Sequence, residues 1–407
     1  MKRAYERFIE YVQIYTTSEP DTGRTPSTER QLVLAERLAA EMRAIGIADA
    51  RVDAFGYVYG SLPATAGCED APALGWIAHM DTAPDFSGEH VKPLLHENYD
   101  GGDVALPECG RVIRVSEFPF LEKLRGRTLI TASGDTLLGA DDKAGTAEIL
   151  TACEHLVTEG IPHGPIRVAF TPDEEVGAGA DHFDVAGFGA KYAYTVDGGA
   201  EGGISYENFN AAAAALDITG VSVHPGSAKD IMVNALKLAF EADSMLPPEE
   251  TPAHTDGYDG FYHLTECEGC PSQAHMAYII RDFDKENFEA RKRKMQEIAD
   301  VLSAKYPTAK IALTVKDSYY NMLEVVKPCM HLIDNAKKAC EMAGVAYCVD
   351  QTRGGTDGAR LSYEGLPCPN LGTGAFNGHG PYECATVEGM DKAVEIILNI
   401  IGLYAKG

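Results

Sequence analysis

Short apolar extended runs alternate with helical patterns along this sequence, and several of the runs end in a carboxylate or a histidine. The run 74–80 ends in His79-Met80-Asp81, and the run 191–197 ends in Asp197. Strands that alternate with helices predict a layered α/β core with a mixed sheet flanked by helices. Strand ends that carry polar groups place those groups at one edge of the sheet.

A third run, 166–170, leads into the acidic turn Thr171-Pro172-Asp173-Glu174-Glu175-Val176-Gly177. Because side chains alternate along extended chain, we expect Glu174 and Glu175 to point in different directions. One glutamate could then hold a metal ion while the other faces a reacting water. Taken alone, an Asp-Glu-Glu triplet is more often a solvated acidic loop.

The chain has 407 residues, which exceeds the usual size of a single hydrophobic core and predicts two domains. Between 208 and 322 the pattern changes to strands and two long helices, at 229–246 and 285–305. Since the first pattern resumes afterwards, we predict an inserted α+β domain at 208–322. The catalytic domain then comprises 1–207 and 323–407. A Gly-, Pro- and Asp-rich stretch at 84–135 is expected to be an irregular functional loop.

Composition excludes several functions. A formal net charge of −26 argues against binding to nucleic acid or to an anionic membrane surface. Residues 1–8 lack the apolar core of a signal peptide and no stretch is apolar enough to span a bilayer, so we expect a cytoplasmic protein. Ten cysteines show no disulfide rhythm, and the close pair Cys267 and Cys270 lacks a second pair for a zinc site.

Polar groups at strand ends and tight turns form one candidate constellation. Five carboxylates brought together would repel one another, and divalent cations remove that penalty. A mixed histidine and carboxylate set without cysteine suits zinc, with manganese or cobalt as substitutes. A carboxylate shared by two metals about 3.5–4 Å apart is the two-metal hydrolytic arrangement. Singly, Asp141 could instead cap a helix and Asp197 could shape a turn. The constellation comprises His79, Asp81, Asp141, Glu174, Glu175, Asp197 and His379.

The motifs around these residues resemble those of the M20 family of zinc peptidases, and within it those of the aminotripeptidases. The resemblance spans essentially the whole chain. It is carried by Ala78-His79-Met80-Asp81-Thr82, Gly139-Ala140-Asp141-Asp142-Lys143, Thr171-Pro172-Asp173-Glu174-Glu175, Val196-Asp197-Gly198-Gly199, Gly378-His379-Gly380, Val223-His224-Pro225-Gly226, Met232-Val233-Asn234-Ala235, Arg281-Asp282-Phe283-Asp284 and Arg353-Gly354-Gly355-Thr356-Asp357-Gly358.

The resemblance assigns a role to each member of the constellation. His79 and Asp197 would complete one zinc site, Glu175 and His379 the other, and Asp141 would bridge the two zinc ions. Glu174 would be the general base. Asp81 would accept the ring N–H of His79 and fix its tautomer.

The implied reaction is release of the N-terminal residue from small peptides, with tripeptides as substrates. A water shared by the two metals would lose a proton to Glu174, and the resulting hydroxide would attack the first peptide carbonyl. The alternatives are another M20-type dipeptidase, an N-acyl amino acid deacylase, or a metal-binding scaffold without activity. A scaffold would require a missing ligand or base.

The inserted domain would act as a lid or as a dimerisation domain of a homodimer. Its hinges would lie near Asn208 and near Asn321-Met322. His224 would stabilise the oxyanion, from its own chain or from a dimer partner. Arg281 and Arg353 would pair with the substrate's C-terminal carboxylate, the alternative being structural ion pairs. The predicted substrate-binding residues are His224, Asn234, Arg281 and Arg353.

Overall fold

A computed structural model describes residues 1–405, which divide into two compact units. The first comprises Met1–Tyr206, Met322–Asp350 and the described residues from Thr356 onward. The second comprises Glu207–Asn321 and Gln351–Gly355. The sequence places 351–355 with the first domain, but the Thr352 N–H donates to the Glu207 carbonyl at 2.8 Å and groups this segment with the second unit.

Helices and strands alternate through the first unit and are interrupted by the second. The strands are β1 (Arg51–Val52), β2 (Val58–Leu62), β3 (Leu74–His79), β4 (Leu94–His96), β5 (Val104–Ala105), β6 (Val112–Ile113), β7 (Leu129–Thr131), β8 (Ile166–Thr171), β9 (Tyr192–Gly198), β10 (Gly203–Ser205), β11 (Asn210–Thr219), β12 (Phe261–Cys270), β13 (Gln273–Asp282), β14 (Lys310–Tyr319), β15 (Cys348–Val349), β16 (Asn370–Gly372), β17 (Ala375–Phe376) and β18 (Cys384–Thr386). The helices are α1 (Ala4–Val12), α2 (Gln31–Ala44), α3 (Ala140–Glu159), α4 (Val185–Phe188), α5 (Ala235–Ser244), α6 (Lys285–Lys305), α7 (Leu323–Val326), α8 (His331–Met342), α9 (Asp357–Tyr363) and α10 (Val387–Ala405).

An eight-stranded mixed sheet forms the centre of the first unit, in the order β1-β2-β8-β3-β9-β16-β10-β15. Every residue of β3 is buried, as expected for a strand covered on both faces. One face packs on a core that includes Trp76, Leu150 and Ile397, and the other face packs on a smaller cluster that includes Tyr57 and Phe188. The expected mixed sheet flanked by helices is therefore confirmed.

The parallel strands β3, β8 and β9 end together at one edge of this sheet. His79 pairs with Thr171 in the β3–β8 register, and Ile77 pairs with Thr195 in the β3–β9 register. The carboxyl ends of neighbouring parallel strands are where α/β folds gather their binding groups. This edge therefore brings His79, the acidic turn after β8 and Asp197 close together.

The stretch 84–135 is more ordered than its composition predicts. Strands β4 and β7 join β17 and β18 in a four-stranded sheet, and β5 and β6 pair as a separate ribbon. Buried residues including Tyr99, Leu106 and Leu121 form a core of their own. The prediction of an irregular loop was wrong because strands of two or three residues are too short to show a period in the sequence.

A four-stranded antiparallel sheet in the order β12-β13-β11-β14 forms the second unit, with α5 and α6 contributing to its core. The sequence missed β12, because this edge strand is mostly exposed and so lacks a buried apolar face with a two-residue period. The helix predicted at 229–246 begins only at α5, where the Asn234 side chain accepts the Lys237 N–H at 3.4 Å. Among the described residues, no helix combines the length and apolar character needed to cross a membrane.

Gly145 lets α3 approach the end of β9 closely. A Cβ atom at this position would lie 1.8 Å from the Val196 carbonyl oxygen. We expect Gly145→Ala to destabilise the metal-free protein by about 1–3 kcal/mol, because a buried backbone atom must move. Gly402→Ala in α10 is the matched control, since a Cβ there meets nothing within 4 Å. In urea unfolding, the free energy of unfolding of the control variant should exceed that of the unaltered protein by up to about 1 kcal/mol, because alanine favours a helix over glycine. Equal unfolding midpoints for the two variants would contradict this packing argument.

Candidate metal centre

The first candidate ligand group contains His79, Asp141 and Asp197. His79 is the last residue of β3, and its Nε2 lies 2.9 Å from Asp141 Oδ1 and 3.6 Å from Asp197 Oδ1. Asp197 lies near the end of β9. The ligand atoms of this group lie within 4.8 Å of one another.

The second group contains Asp141, Glu175 and His379, also within 4.8 Å. His379 Nε2 lies 2.8 Å from Glu175 Oε2 and 3.4 Å from Asp141 Oδ2. His379 has a positive φ of 67°, in the loop between β17 and β18. Asp141 therefore faces one histidine with each carboxylate oxygen, which is the geometry of a bridging ligand.

Asp141 does not cap the helix that follows it. The chain is kinked here, since Asp141 has non-helical angles (φ −84°, ψ 103°), and it is the side chain of the next residue that accepts the N–H three positions on, as a helix cap does. Its neighbour Asp142 is buried and accepts the backbone N–H of His79 at 3.2 Å and that of Gly145 at 3.1 Å. Asp142 thus ties the end of β3 to α3 while Asp141 points between the two histidines.

The acidic turn after β8 differs in conformation from the prediction. Glu174–Val176 forms a 3₁₀ turn, not extended chain. Successive side chains still point apart, because a 3₁₀ helix has about three residues per turn and so rotates by about 120° per residue. Asp173 anchors the start of this turn. Its buried carboxylate accepts the Ser27 N–H at 2.7 Å and the Gln31 side-chain N–H at 2.6 Å.

Asp81 contacts both parts of the centre. The Nδ1 atom of His79 lies 3.3 Å from Asp81 Oδ1 and 3.1 Å from the Asp81 carbonyl oxygen. The Asp81 carboxylate also accepts the backbone N–H groups of Glu174 at 3.1 Å and Glu175 at 3.2 Å. Sequence reasoning anticipated the contact with the ring and missed the contacts with the acidic turn.

Burial and crowding shift the ionisation of the cluster. Burial, with help from the Asp197 carboxylate, raises the pKa of Glu174 well above its ordinary value. Burial also raises the pKa of Glu175 to about 7 and that of Asp197 to about 6. Hydrogen bonds with Asp141 and Glu175 raise the pKa of His379 to about 11. These shifts are the cost of bringing several anions together in a buried place.

The donor set fits two divalent cations. Each group offers imidazole nitrogen and carboxylate oxygen, and no cysteine takes part, which suits zinc and similar borderline metals. Oxygen Oε1 of Glu175 is buried and has no hydrogen-bond partner among residues 1–405, although buried carboxylate oxygens are normally paired. A bound cation would satisfy that oxygen and offset the repulsion between the carboxylates.

The predicted substrate-binding residues all lie in the second unit. The His224 ring accepts the Gly226 N–H at 3.1 Å in a 3₁₀ turn, and Asn234 caps α5. Arg281 lies on β13 and donates to the Tyr319 hydroxyl. Arg353 donates to the carbonyls of Gly257 and Asp259 at 2.6 and 3.2 Å and to the hydroxyl of Thr255 at 3.1 Å.

Two further buried acids near the centre escaped sequence reasoning. Glu383 accepts three backbone N–H groups from residues 138–141, where the chain enters α3. Asp357 begins α9, its Oδ2 has no hydrogen-bond partner in the described part of the chain, and burial raises its pKa to about 7. Neither lies at the end of a predicted strand, so the pattern that singled out the other acids passes over them.

Asp81→Asn should weaken metal binding, because the amide cannot accept all the N–H groups that the carboxylate accepts. Substitutions of this kind cost about 10- to 100-fold in metal affinity. Zinc titration of the metal-free protein by calorimetry measures the effect. Asp53→Asn is the matched control, since Asp53 also accepts two backbone N–H groups at 2.9 Å, from Phe55 and Tyr57, but belongs to neither ligand group. Equal zinc affinities of the two variants would refute the role of Asp81.

Comparison with known proteins places this centre in a family. Residues 206–310 match the peptidase dimerisation domain of the M20 family. Peptidase T of Clostridium novyi is 52% identical over 408 residues, covering 100% of both chains. The crystal structure of aminopeptidase PepT from Bacillus cereus has a TM-score of 0.78 at 24% identity, covering 99% of this chain and 98% of that one. A tripeptidase from Staphylococcus aureus has the same TM-score at 20% identity, covering 100% and 98%. Full-length identity of this size shows that the chain belongs to the peptidase T family of M20 peptidases.

Proposed function

We propose that this chain is a two-metal aminopeptidase that releases the N-terminal residue from tripeptides. The observation that carries the proposal is Asp141, whose two carboxylate oxygens face His79 and His379 and so belong to two ligand groups at once. The names of the relatives, peptidase T and tripeptidase, support the substrate class. The same donor set supports zinc as the metal, with cobalt or manganese as substitutes.

Under this proposal His79, Asp141 and Asp197 hold one metal, and Asp141, Glu175 and His379 hold the other. When bound, the pair of cations supplies Lewis acidity that polarises the scissile carbonyl and acidifies water. Asp81 orients the His79 ring and the acidic turn through the contacts described above. The ligand geometry is thereby set before substrate arrives.

Glu174 serves as the proton carrier. It sits beside Glu175 in the 3₁₀ turn but belongs to neither ligand group, so its carboxylate is left for acid–base work. We assign it the transfer of a proton from the attacking water to the leaving amine. Adjacent residues of one turn thus divide metal binding and proton transfer between them.

The two arginines differ in their capacity to bind a carboxylate. The Arg353 guanidinium already has carbonyl and hydroxyl acceptors and stacks over the rings of Phe209 and Phe261. Arg281 Nε is buried without an acceptor, and among the described residues no carboxylate forms an ion pair with it. We therefore propose Arg281 as the partner of the substrate's C-terminal carboxylate and assign Arg353 a structural role.

The roles of His224 and Asn234, the closure of the inserted domain, and its use in a homodimer stay predictions. The match to a dimerisation domain supports the homodimer. The ten cysteines are all free, which supports a reducing compartment such as the cytoplasm. Light scattering of the purified protein tests the dimer directly.

Glu174→Gln should keep both metals and lose about 10²- to 10⁴-fold in turnover, because it removes a proton carrier and no ligand. Elemental analysis and steady-state kinetics on the same preparation measure both effects. Glu175→Gln is the matched comparison and should lose affinity for one metal. If Glu174→Gln loses a metal equivalent instead, the roles of the two glutamates are exchanged.

A digest of di-, tri- and tetrapeptides with the zinc-loaded enzyme tests the activity itself. We expect cleavage of free tripeptides and failure on tetrapeptides and on N-blocked peptides.

Arg281→Ala should raise KM for a tripeptide by roughly 10- to 100-fold, the value of a lost charge-assisted hydrogen bond. It should leave KM for the C-terminal amide unchanged. Arg353→Ala should lower thermal stability without changing this preference.

Two results would redirect the assignment. Cleavage of N-acyl amino acids or of dipeptides alone would favour the other M20-type activities. Equal cleavage of a tripeptide and its C-terminal amide by the unaltered enzyme would remove the case for an arginine that reads the carboxylate.

A further inference from the structure

Glu383 is a buried glutamate whose carboxylate accepts backbone N–H groups of residues 138–141, the turn through which the chain enters α3. Its Oε2 accepts the N–H groups of Leu138 and Gly139, each at 2.7 Å, and its Oε1 accepts that of Asp141 at 2.9 Å. The residue is 1% exposed. Three short bonds to one carboxylate fix the backbone of this turn on both sides of Ala140.

The backbone of this turn is irregular. Gly139 has a φ of 80°, and Asp141 and Asp142 have non-helical angles inside α3. The N–H groups at the start of a helix have no acceptor within the helix. The Glu383 carboxylate supplies that acceptor and so sets the direction in which the Asp141 side chain leaves the backbone.

Glu383 also follows His379 by four residues in the loop between β17 and β18. The same loop approaches Asp141 at Gly378, where a Cβ atom would lie 2.9 Å from Asp141 Oδ2. One loop therefore supplies a ligand of the second group directly and holds the residue shared by both groups through its backbone.

We infer that Glu383 is a positioning residue for both metals: by fixing the 138–141 turn it aims the shared carboxylate of Asp141 at the two sites. The inference rests on the proposed two-metal function. A ligand that serves one site affects one metal when it is lost. A residue that positions the shared ligand affects both metals together.

Glu383→Gln tests this distinction, because an amide has one oxygen and cannot accept N–H groups on both sides. Calorimetric titration of the metal-free variant with zinc should show both sites weakened by about 10- to 100-fold. His379→Ala, measured alongside, should weaken one site. Amide hydrogen exchange in the metal-free protein should become faster at 138–141 in Glu383→Gln.

Glu388→Gln is the matched control, since Glu388 also accepts a backbone N–H, from Thr128 at 2.9 Å, and belongs to neither ligand group. It should leave both zinc affinities unchanged. Should Glu383→Gln not fold, Glu383→Asp gives the same readout, because its carboxylate is retracted by one methylene and loses part of the contact.

Unchanged affinity at both sites, weakening at one site only, or unchanged exchange at 138–141 would each overturn the inference. The proposed function has a separate test within the same experiment. If the unaltered chain binds fewer than two zinc ions, the two-metal proposal fails, while the exchange rates still show whether Glu383 holds the turn.

Discussion

Repulsion between buried carboxylates is the constraint on which the rest of this structure depends. Burial and neighbouring carboxylates raise the pKa of Glu174, Glu175 and Asp197, whereas the two histidines hold the pKa of Asp141 well below its ordinary range. Such a cluster is stable when cations or hydrogen-bond donors balance its charge. The arrangement of Asp141 between two histidines provides for two cations at once.

A second set of acids balances its charge with backbone donors. Asp81 accepts backbone N–H groups of the acidic turn, and Asp173 anchors the start of that turn by accepting the Ser27 N–H. Glu383 holds the 138–141 turn. Each fixes a segment that carries candidate ligands. Backbone donors are suited to this work because they cannot change protonation or rotamer, so the ligand positions are set by the fold itself.

The second unit contributes different chemistry. Arg353 and Arg281 look equivalent as sequence motifs, yet the Arg353 guanidinium donates to backbone carbonyls and a hydroxyl. Arg281 keeps a buried Nε that has no acceptor among the described residues. A buried unpaired donor is costly unless a ligand satisfies it. That difference, which depends on neighbouring loops, is the reason we propose Arg281 and not Arg353 for substrate recognition.

The sequence by itself determined the α/β class, the strand ends that carry His79 and Asp197, the acidic turn and the family resemblance, because strand periodicity and ligand motifs are local. The family resemblance implied that Asp141 lies between the two histidines, and the tertiary structure supplied the distances. Only the tertiary structure decided that 84–135 folds around its own core and that Glu383 holds the 138–141 turn. The contact between Glu383 and Leu138 joins residues 245 apart in the chain. Such contacts follow from strand order and loop packing, which leave no periodic signal in the sequence.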